Sequence, residues 1–435
     1  MKLIIYQALT RLWGDGKMSS WDKRSLDYIK GLGADYIWYT GIPRHSTGKD
    51  FVKGNPGSPY SITDWEDVNP YLADKRSERL EEFSSLVSRT HSAGLKCIID
   101  FIPNHVAKDY KGKLRHFDFC DYDWTDTLKN DWSAPQTLDA AVEILRFWAS
   151  RGVDGFRCDM VELVPADAMK ALISALKSDF PDLIFIAEVY GKENYRKYID
   201  YVGFDLLYDK SGSYDILRSI IRNGSGARAL TWNWQWLQDL QPRMLNFLEN
   251  HDEQRIASPW FAGKASNAYA ALAFSLLYNN ASFMLYFGQE AGENASEGHE
   301  GRTSIFNWSK PAAITQLHDF VETGKELPET AKAVFIRYRE FLEAASLPVF
   351  REGGTWDLCY CQPSDSGFDP DRHFAFLRFT DSEAYLVVCN FSDQPMSASI
   401  SIPPEVPAGE GTFQVDVPQK DAVLLYISGQ VRRSH

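Results

Sequence analysis

Helical patterns and short apolar runs alternate along the first three quarters of the chain. Leu80, Phe83 and Val87 have the spacing of one helix face, and Gly94 separates them from the apolar run 95–101. Gly and Pro end helices, and a short apolar run bounded by such residues is typical of a buried strand. This recurrence predicts βα units, and therefore a parallel sheet.

Eight apolar runs are candidates for the strands of that sheet. They cover residues 3–7, 35–40, 97–101, 155–159, 183–188, 204–208, 244–248 and 283–287. Eight parallel strands with intervening helices close a TIM barrel. We therefore predict an α/β fold, a (β/α)8 barrel over residues 1–346. The irregular stretch 104–137 is long for a βα loop and predicts a short inserted subdomain after the third strand.

The pattern changes from about residue 347 to the end of the chain at 435. Helical periodicity fades, and short β-rich segments follow one another at 373–380, 384–390, 397–402, 411–417 and 422–427. Turn-forming residues separate these segments. The sequence therefore predicts a C-terminal antiparallel β-sandwich over 347–435.

Charge and hydropathy exclude several classes of partner. The formal net charge is -13, and no dense Lys/Arg run interrupts it, which argues against nucleic acid. No apolar stretch approaches the roughly 20 residues that span a bilayer, so no membrane partner is expected.

The N-terminal apolar run is broken at Gln7 and has the pattern of a strand instead of a signal peptide, so we expect a cytoplasmic protein. The oligomeric state stays open.

Four acidic residues stand at or just beyond the ends of predicted strands: Asp100, Asp159, Glu188 and Asp252. In a parallel barrel these ends converge on one mouth. Converging carboxylates suit the hydrolysis of a glycosidic bond, in which one acid protonates the leaving oxygen and another carboxylate attacks or stabilises the sugar. A lone Asp at a strand end more often has a structural role, and we expect that of Asp100.

The motifs around these acids resemble the α-amylase family, glycoside hydrolase family thirteen. Four segments match its signature regions in order and at about the family intervals: Asp100-Phe-Ile-Pro-Asn104-His105, Gly155-Phe-Arg157-Cys-Asp159, Ile186-Ala-Glu188 and Phe247-Leu-Glu-Asn250-His251-Asp252. The segments 4–7, 59–64 and 284–290 are similar to the family as well. The resemblance therefore covers nearly the whole predicted barrel.

The resemblance implies a role for each matching residue. Asp159 corresponds to the catalytic nucleophile, Glu188 to the general acid/base, and Asp252 to the carboxylate that holds sugar hydroxyls at the cleavage point. Four further residues correspond to substrate-binding positions: Tyr60, His105, Arg157 and His251. Asn104 matches a position that often binds structural calcium, and the resemblance implies no organic cofactor.

Two departures from the family pattern and one run of tryptophans bear on the choice of substrate. Ser61 follows Tyr60 where the family commonly has Asp, and Leu163, preceded by Glu162, stands where Lys or His often contacts the substrate. Tryptophans also occupy alternate positions in the run 231–236. In an extended conformation their rings would share one face, as a sugar platform or as a packing surface.

These observations predict a retaining glycoside hydrolase that cleaves α-glucosidic bonds, α-1,4 bonds first, in maltooligosaccharides or starch-like glucans. A covalent glycosyl-enzyme can also pass its sugar to another sugar, so a transglycosidase or isomerase of small α-glucosides is the alternative enzyme. A barrel that binds carbohydrate without cleaving it is the alternative from another class.

Overall fold

A computed structural model of the chain describes residues 2–47, 50–296, 305–308, 311–406 and 409–427. All eight predicted barrel strands are confirmed. They form one closed barrel in which every strand runs parallel to its neighbours. In chain order the strands are Ile4–Leu9, Tyr36–Thr40, Lys96–Phe101, Gly155–Cys158, Ile184–Ala187, Leu206–Tyr208, Met244–Phe247 and Ser282–Tyr286.

The first and the last strands close the barrel. Ile5 lies between Tyr36 of the second strand and Met284 of the eighth. All six residues of Ile4–Leu9 are buried, because helices cover the outer face and side chains fill the interior. This double burial explains why the barrel strands are continuous apolar runs in the sequence.

Helices surround the barrel and continue beyond its last strand. Asp22 caps the first of them by accepting hydrogen bonds from the backbone N–H groups of Arg24 and Ser25. The α-helices are Lys23–Gly31, Arg79–Ser92, Pro135–Ala149, Ala166–Asp179, Asp215–Asn223, Arg228–Leu237, Tyr269–Leu277, Ala312–Thr323, Glu329–Ala345 and Pro348–Arg351. None of the helices in the described ranges is long and apolar enough to span a membrane.

Two small antiparallel pairs lie above the carboxyl ends of the barrel strands. Pro43–His45 pairs with Ile62–Val68, and His105–Ala107 pairs with Thr127–Lys129. The second pair forms the base of the segment predicted as an insertion. The following helix begins at Pro135, so that residues 135–137 belong to the helix instead, with proline in its favoured first turn.

The C-terminal part consists of antiparallel strands, as predicted. A four-stranded sheet contains Gly354–Asp357, His373–Phe379, Ala384–Asn390 and Ala422–Ile427, and a two-stranded sheet contains Met396–Ile402 and Gly411–Val417. Apolar side chains from both sheets, among them Leu386 and Ile400, form one buried cluster. Residues 428–435 of the predicted sandwich lie outside the described residues.

The extended conformation considered for the tryptophan run is wrong. Residues 231–236 belong to the helix Arg228–Leu237, in which residues two apart point in nearly opposite directions. Trp232 and Trp236, four residues apart, are both exposed, whereas Trp234 packs against the ring of Tyr278. The three rings therefore form no common platform.

Candidate active site

A cleft of about 380 Å³ opens at the carboxyl ends of the barrel strands. Six of the residues singled out from the sequence line it: Tyr60, His105, Asp159, Glu188, His251 and Asp252. They come from separate parts of the chain and meet because parallel strands end on the same side of the barrel. Three of these six residues, Asp159, Glu188 and Asp252, are acidic, so the floor of the cleft is acidic.

Arg157 joins the acids of this floor. It lies on the fourth barrel strand and is fully buried. Its Nη1 lies 2.5 Å from Asp159 Oδ1, and its Nη2 lies 2.9 Å from Glu188 Oε1. The same Nη2 lies 4.0 Å from Asp252 Oδ2. One rigid guanidinium thus fixes two carboxylates side by side with a third nearby.

Backbone hydrogen bonds fix the main-chain positions of Asp159 and Glu188. The N–H of Asp159 donates to the carbonyl of Phe101 at 2.9 Å, and the N–H of Glu188 donates to the carbonyl of Cys158 at 3.1 Å. Both residues therefore stay in the barrel's hydrogen-bond ladder, although each follows the last residue of its strand. This placement gives their side chains little freedom to separate.

The two carboxylates interact electrostatically. Burial raises the pKa of Asp159 well above its ordinary value, and the neighbouring Glu188 raises it further, while Arg157 opposes the rise. Burial and the negative charge of Glu188 thus both disfavour ionisation of Asp159, and the charge of Arg157 favours it.

Glu188 has two further hydrogen-bond donors. The hydroxyl of Tyr190 donates to Oε1 at 2.8 Å, and the N–H of Met160 donates to Oε2 at 2.9 Å. Met160 has a left-handed backbone conformation, with φ at 45°, directly after Asp159. Strained backbone of this kind concentrates at functional sites, and here it turns an N–H toward the acid.

Tyr60 and His251 form one aromatic unit beside the acids. Their rings stack with centroids 4.9 Å apart and planes 6° apart. Gln7 Nε2 lies 2.8 Å from His251 Nδ1, and His251 Nε2 lies 3.0 Å from Asp252 Oδ2. The imidazole thus connects a buried amide with the acid at the edge of the site, whose side chain is 30% exposed.

Asp100 lies beneath this unit. It is buried and accepts hydrogen bonds from Trp38 Nε1 at 3.0 Å and from the Tyr60 hydroxyl at 3.1 Å. Burial raises its pKa, against the opposing charge of Arg157. Asp100 does not line the cleft, which agrees with the structural role expected for it.

His105 also lines the cleft. Burial lowers its pKa to about 4, so the imidazole is neutral at neutral pH. Its ring meets the edge of Trp124 with centroids 5.1 Å apart. Trp124 comes from the inserted segment, which therefore supplies part of the wall of the cleft.

Asn104 is the residue matched to a calcium position. Its Oδ1 is buried and accepts no hydrogen bond, which leaves one oxygen suited to a cation or a water molecule. However, the described residues contain no group of three or more His, Cys, Asp and Glu side chains arranged to hold a metal. Calcium also binds amide and backbone carbonyl oxygens, so calcium at Asn104 stays a prediction that a binding titration can test.

The residues that depart from the family pattern have local structural partners. The hydroxyl of Ser61 donates to the carbonyl of Asp126 at 2.9 Å, which ties the Tyr60 segment to the inserted segment. The carboxylate of Glu162 accepts from the N–H of Tyr190 at 2.7 Å. Leu163 is half-buried and does not line the cleft.

Sequence reasoning missed several residues of the site. Tyr190, Trp124 and Gln7 all contact predicted site residues, yet none belongs to a motif matched for chemistry. The position of Tyr190 two residues after Glu188 was the one local signal available. Trp124 and Gln7 lie far from their partners in sequence, so only the tertiary structure reveals their contacts.

Comparison with known proteins agrees with this geometry. The family model for the alpha-amylase catalytic domain matches residues 22–138 and 119–326. Alpha-amylase 2 of Dictyoglomus thermophilum is 25% identical over 409 residues, covering 85% of this chain and 63% of that protein. An alpha-1,4-glucan:maltose-1-phosphate maltosyltransferase of Cereibacter sphaeroides is 27% identical over 216 residues, covering 42% of this chain and 35% of that protein.

The chain thus spans less than two thirds of the length of these curated relatives. Among solved structures, a noncanonic maltogenic alpha-amylase, AmyB, from Thermotoga neapolitana has the same fold with a TM-score of 0.72. That match covers 98% of this chain and 96% of the other at 23% identity. The fold of this chain therefore has a counterpart of similar extent.

Proposed function

The chain belongs to the α-amylase family, and we propose that it is a retaining glycoside hydrolase that cleaves α-glucosidic bonds. The expected substrates are α-1,4-linked maltooligosaccharides or starch-like glucans. One observation carries the proposal: Arg157 holds the carboxylates of Asp159 and Glu188 together in an open cleft. The similarity to an alpha-amylase supports hydrolysis.

In the first step of the proposed reaction, the Asp159 carboxylate attacks the anomeric carbon of the bound sugar. Glu188 donates its proton to the glycosidic oxygen as the bond to that oxygen breaks. A covalent glycosyl ester on Asp159 forms, and the shortened glucan leaves with a new hydroxyl group. This step requires an ionised Asp159 and a protonated Glu188, and the charge of Arg157 favours the ionised form of Asp159.

In the second step, Glu188 takes a proton from a water molecule, whose oxygen attacks the anomeric carbon. The ester bond to Asp159 breaks, the sugar leaves with its original α configuration, and Glu188 is protonated again. Two inversions give net retention. Arg157 stabilises the charge on Asp159 before attack and after release, because its guanidinium lies at hydrogen-bond distance from that carboxylate.

Four predicted residues remain, and in this proposal they bind and orient the sugar: Tyr60, His105, His251 and Asp252. His251 and Asp252 present adjacent polar atoms, and neutral His105 also lines the cleft. Sugar hydroxyls both donate and accept hydrogen bonds, so a carboxylate together with imidazole nitrogens suits them. Transition-state contacts of this kind raise the rate of cleavage.

Transfer to a second sugar is the alternative reaction at the same site. The similarity to a maltosyltransferase supports this alternative. A sugar hydroxyl would then replace water in the second step. The products separate the two reactions, because transfer makes glucans longer than the starting material, whereas hydrolysis makes only shorter ones.

Two substitutions test the proposed roles. We expect Asp159→Asn and Glu188→Gln each to lower turnover of maltoheptaose by about a thousand-fold or more, since each removes one half of the acid and nucleophile pair. Asp381→Asn, which makes the same change in an exposed turn of the C-terminal sheet, serves as the control. Circular dichroism must show that the variants are folded, and wild-type turnover in either active-site variant would refute the assignment.

A further inference from the structure

A second cleft, remote from the catalytic one, lies where the barrel meets the C-terminal sheet. We call it the junction cleft, and its volume is about 420 Å³. Its walls are the helix Arg228–Leu237 and the strand Gly354–Asp357 with the turn that follows. The lining residues are Thr231, Trp234, Gln235, Thr355, Trp356, Asp357 and Tyr360. It shares no lining residue with the catalytic cleft.

Aromatic rings dominate the junction cleft. Tyr360 is 63% exposed, and the indole Nε1 of Trp356 donates to its hydroxyl at 3.3 Å. Trp234 forms the opposite side and is held by its packing against Tyr278. Exposing large rings in a concave surface costs free energy that burial elsewhere would recover, so a cluster of this kind indicates a ligand.

The polar atoms of the junction cleft are oriented by bonds to the protein. Thr231 Oγ1 donates its proton to Asp357 Oδ2 at 2.6 Å, and Thr355 Oγ1 donates its proton to the carbonyl of Tyr278 at 2.9 Å. Thr355 Oγ1 also accepts a hydrogen bond from Arg378 Nη1 at 2.9 Å, so the Thr231 hydroxyl is the one that keeps its lone pairs for a ligand. The exposed amide of Gln235 can both donate and accept.

We infer that the junction cleft is a second carbohydrate-binding site, which holds an α-glucan away from the acids that cleave it. A sugar ring has an apolar C–H face, which suits Trp356 and Tyr360, and a rim of hydroxyl groups, which suits acceptors and an amide. None of the described residues that line the junction cleft is a lysine or an arginine, so an anionic ligand would find no exposed countercharge there. That the ligand is an α-glucan rests on the proposed function, whereas the presence of a binding site rests on the shape and lining of the junction cleft.

Such a site would raise the local concentration of a polymer without changing the chemistry. A glucan long enough to contact both clefts gains affinity through the second contact, whereas a trisaccharide does not. Loss of the junction cleft should therefore affect binding to long glucans and leave turnover of maltotriose unchanged.

The test measures retardation of the Asp159→Asn protein in native gels that contain amylose, which this variant should bind without cleaving. We expect Tyr360→Ala to weaken the retardation by about five-fold or more, since a stacking ring is lost. Tyr426→Ala removes a tyrosine of similar exposure, 57%, from the last strand of the four-stranded sheet and should have no effect. Equal retardation of the two tyrosine variants would overturn the inference.

A second measurement covers the event that Tyr360→Ala fails to fold. In protein labelled with fluorotryptophan, the Trp356 signal, assigned with Trp356→Phe, should shift when maltoheptaose is added. A signal that does not move at saturation of the catalytic cleft would overturn the junction cleft as a sugar site. Failure of the proposed function is distinguishable, because it would appear as absent maltotriose cleavage in the wild type, whatever the result for Trp356.

Discussion

The chemistry of the site depends on how one guanidinium is shared. Arg157 has no access to solvent and contacts Asp159 and Glu188 through different nitrogens. A buried positive charge without partners would be strongly unfavourable, so the carboxylates stabilise Arg157 as much as it orients them. This mutual dependence explains why the three residues form a unit and why effects of their substitutions should not add.

Azide can separate the nucleophile from the acid. In Asp159→Ala, azide fits the space left by the carboxylate and should attack p-nitrophenyl α-maltoside directly, giving a β-glycosyl azide. In Glu188→Ala, azide should attack the glycosyl ester on Asp159 and give the α-glycosyl azide. Proton NMR of the azide products distinguishes them. The reverse pattern, α from the first variant and β from the second, would mean that the roles are exchanged.

At the level of residues, the sequence located the predicted acids because each lies at or shortly after the end of a recognisable strand. It could not indicate that Tyr190 would donate to Glu188 or that Trp124 would meet His105, since those contacts depend on how loops fold over the cleft. Loop geometry has no period comparable with that of strands and helices. The supporting residues of the site were therefore the hardest to predict.

At the level of elements, the barrel strands were predictable for a simple reason. Each is buried on both faces and bounded by turn residues, so it is a short apolar run in the sequence. The helix Arg228–Leu237 was ambiguous because alternating tryptophans also fit a strand. The helical conformation was settled by tertiary packing, which overrides a short local pattern.

A histidine in one small antiparallel pair should make stability depend on pH. His45 is buried between the carbonyl of Ser46 and the hydroxyl of Tyr71, and burial lowers its pKa from 6.5 to about 4. The unfolded chain therefore binds a proton more readily than the folded one between these values. Stability is complete above about pH 6.5 and declines as the pH falls toward 4.

We expect His45→Gln to remove part of this acid sensitivity. A single histidine with such a shift contributes about 2 kcal/mol between about pH 7.5 and about pH 5. Urea unfolding at both pH values measures the difference in the free energy of unfolding. His116→Gln, in the inserted segment, is the matched control. An equal loss of stability on acidification in wild type and His45→Gln would count against the account.

At the level of the whole molecule, the barrel and the C-terminal sheet are joined by a buried arginine. Arg378 lies on a C-terminal strand, and its guanidinium donates to the carbonyls of Tyr278, Val349, Phe350 and Gly353 at 3.0–3.2 Å. These carbonyls belong to the barrel and to the connection that leaves it. The sequence predicted both parts, but an arginine within an apolar strand gave no sign of its partners.

Replacement of Arg378 should therefore weaken the whole molecule. We expect Arg378→Met to lower the free energy of unfolding by about 3 kcal/mol or more, because several buried carbonyls lose their donor. Arg372→Met changes an exposed arginine next to the same strand and should have little effect. Chemical denaturation of both variants makes the comparison, and an unchanged midpoint for Arg378→Met would exclude this role.

The stereochemistry of the first product tests the central claim most directly. Proton NMR during the first minutes of maltoheptaose cleavage, before the anomers equilibrate, identifies the anomer that the protein releases. Attack by Asp159 followed by attack of water predicts the α anomer first, with the β anomer appearing later by mutarotation. Initial release of the β anomer would mean direct attack of water, and Asp159 could not be the nucleophile.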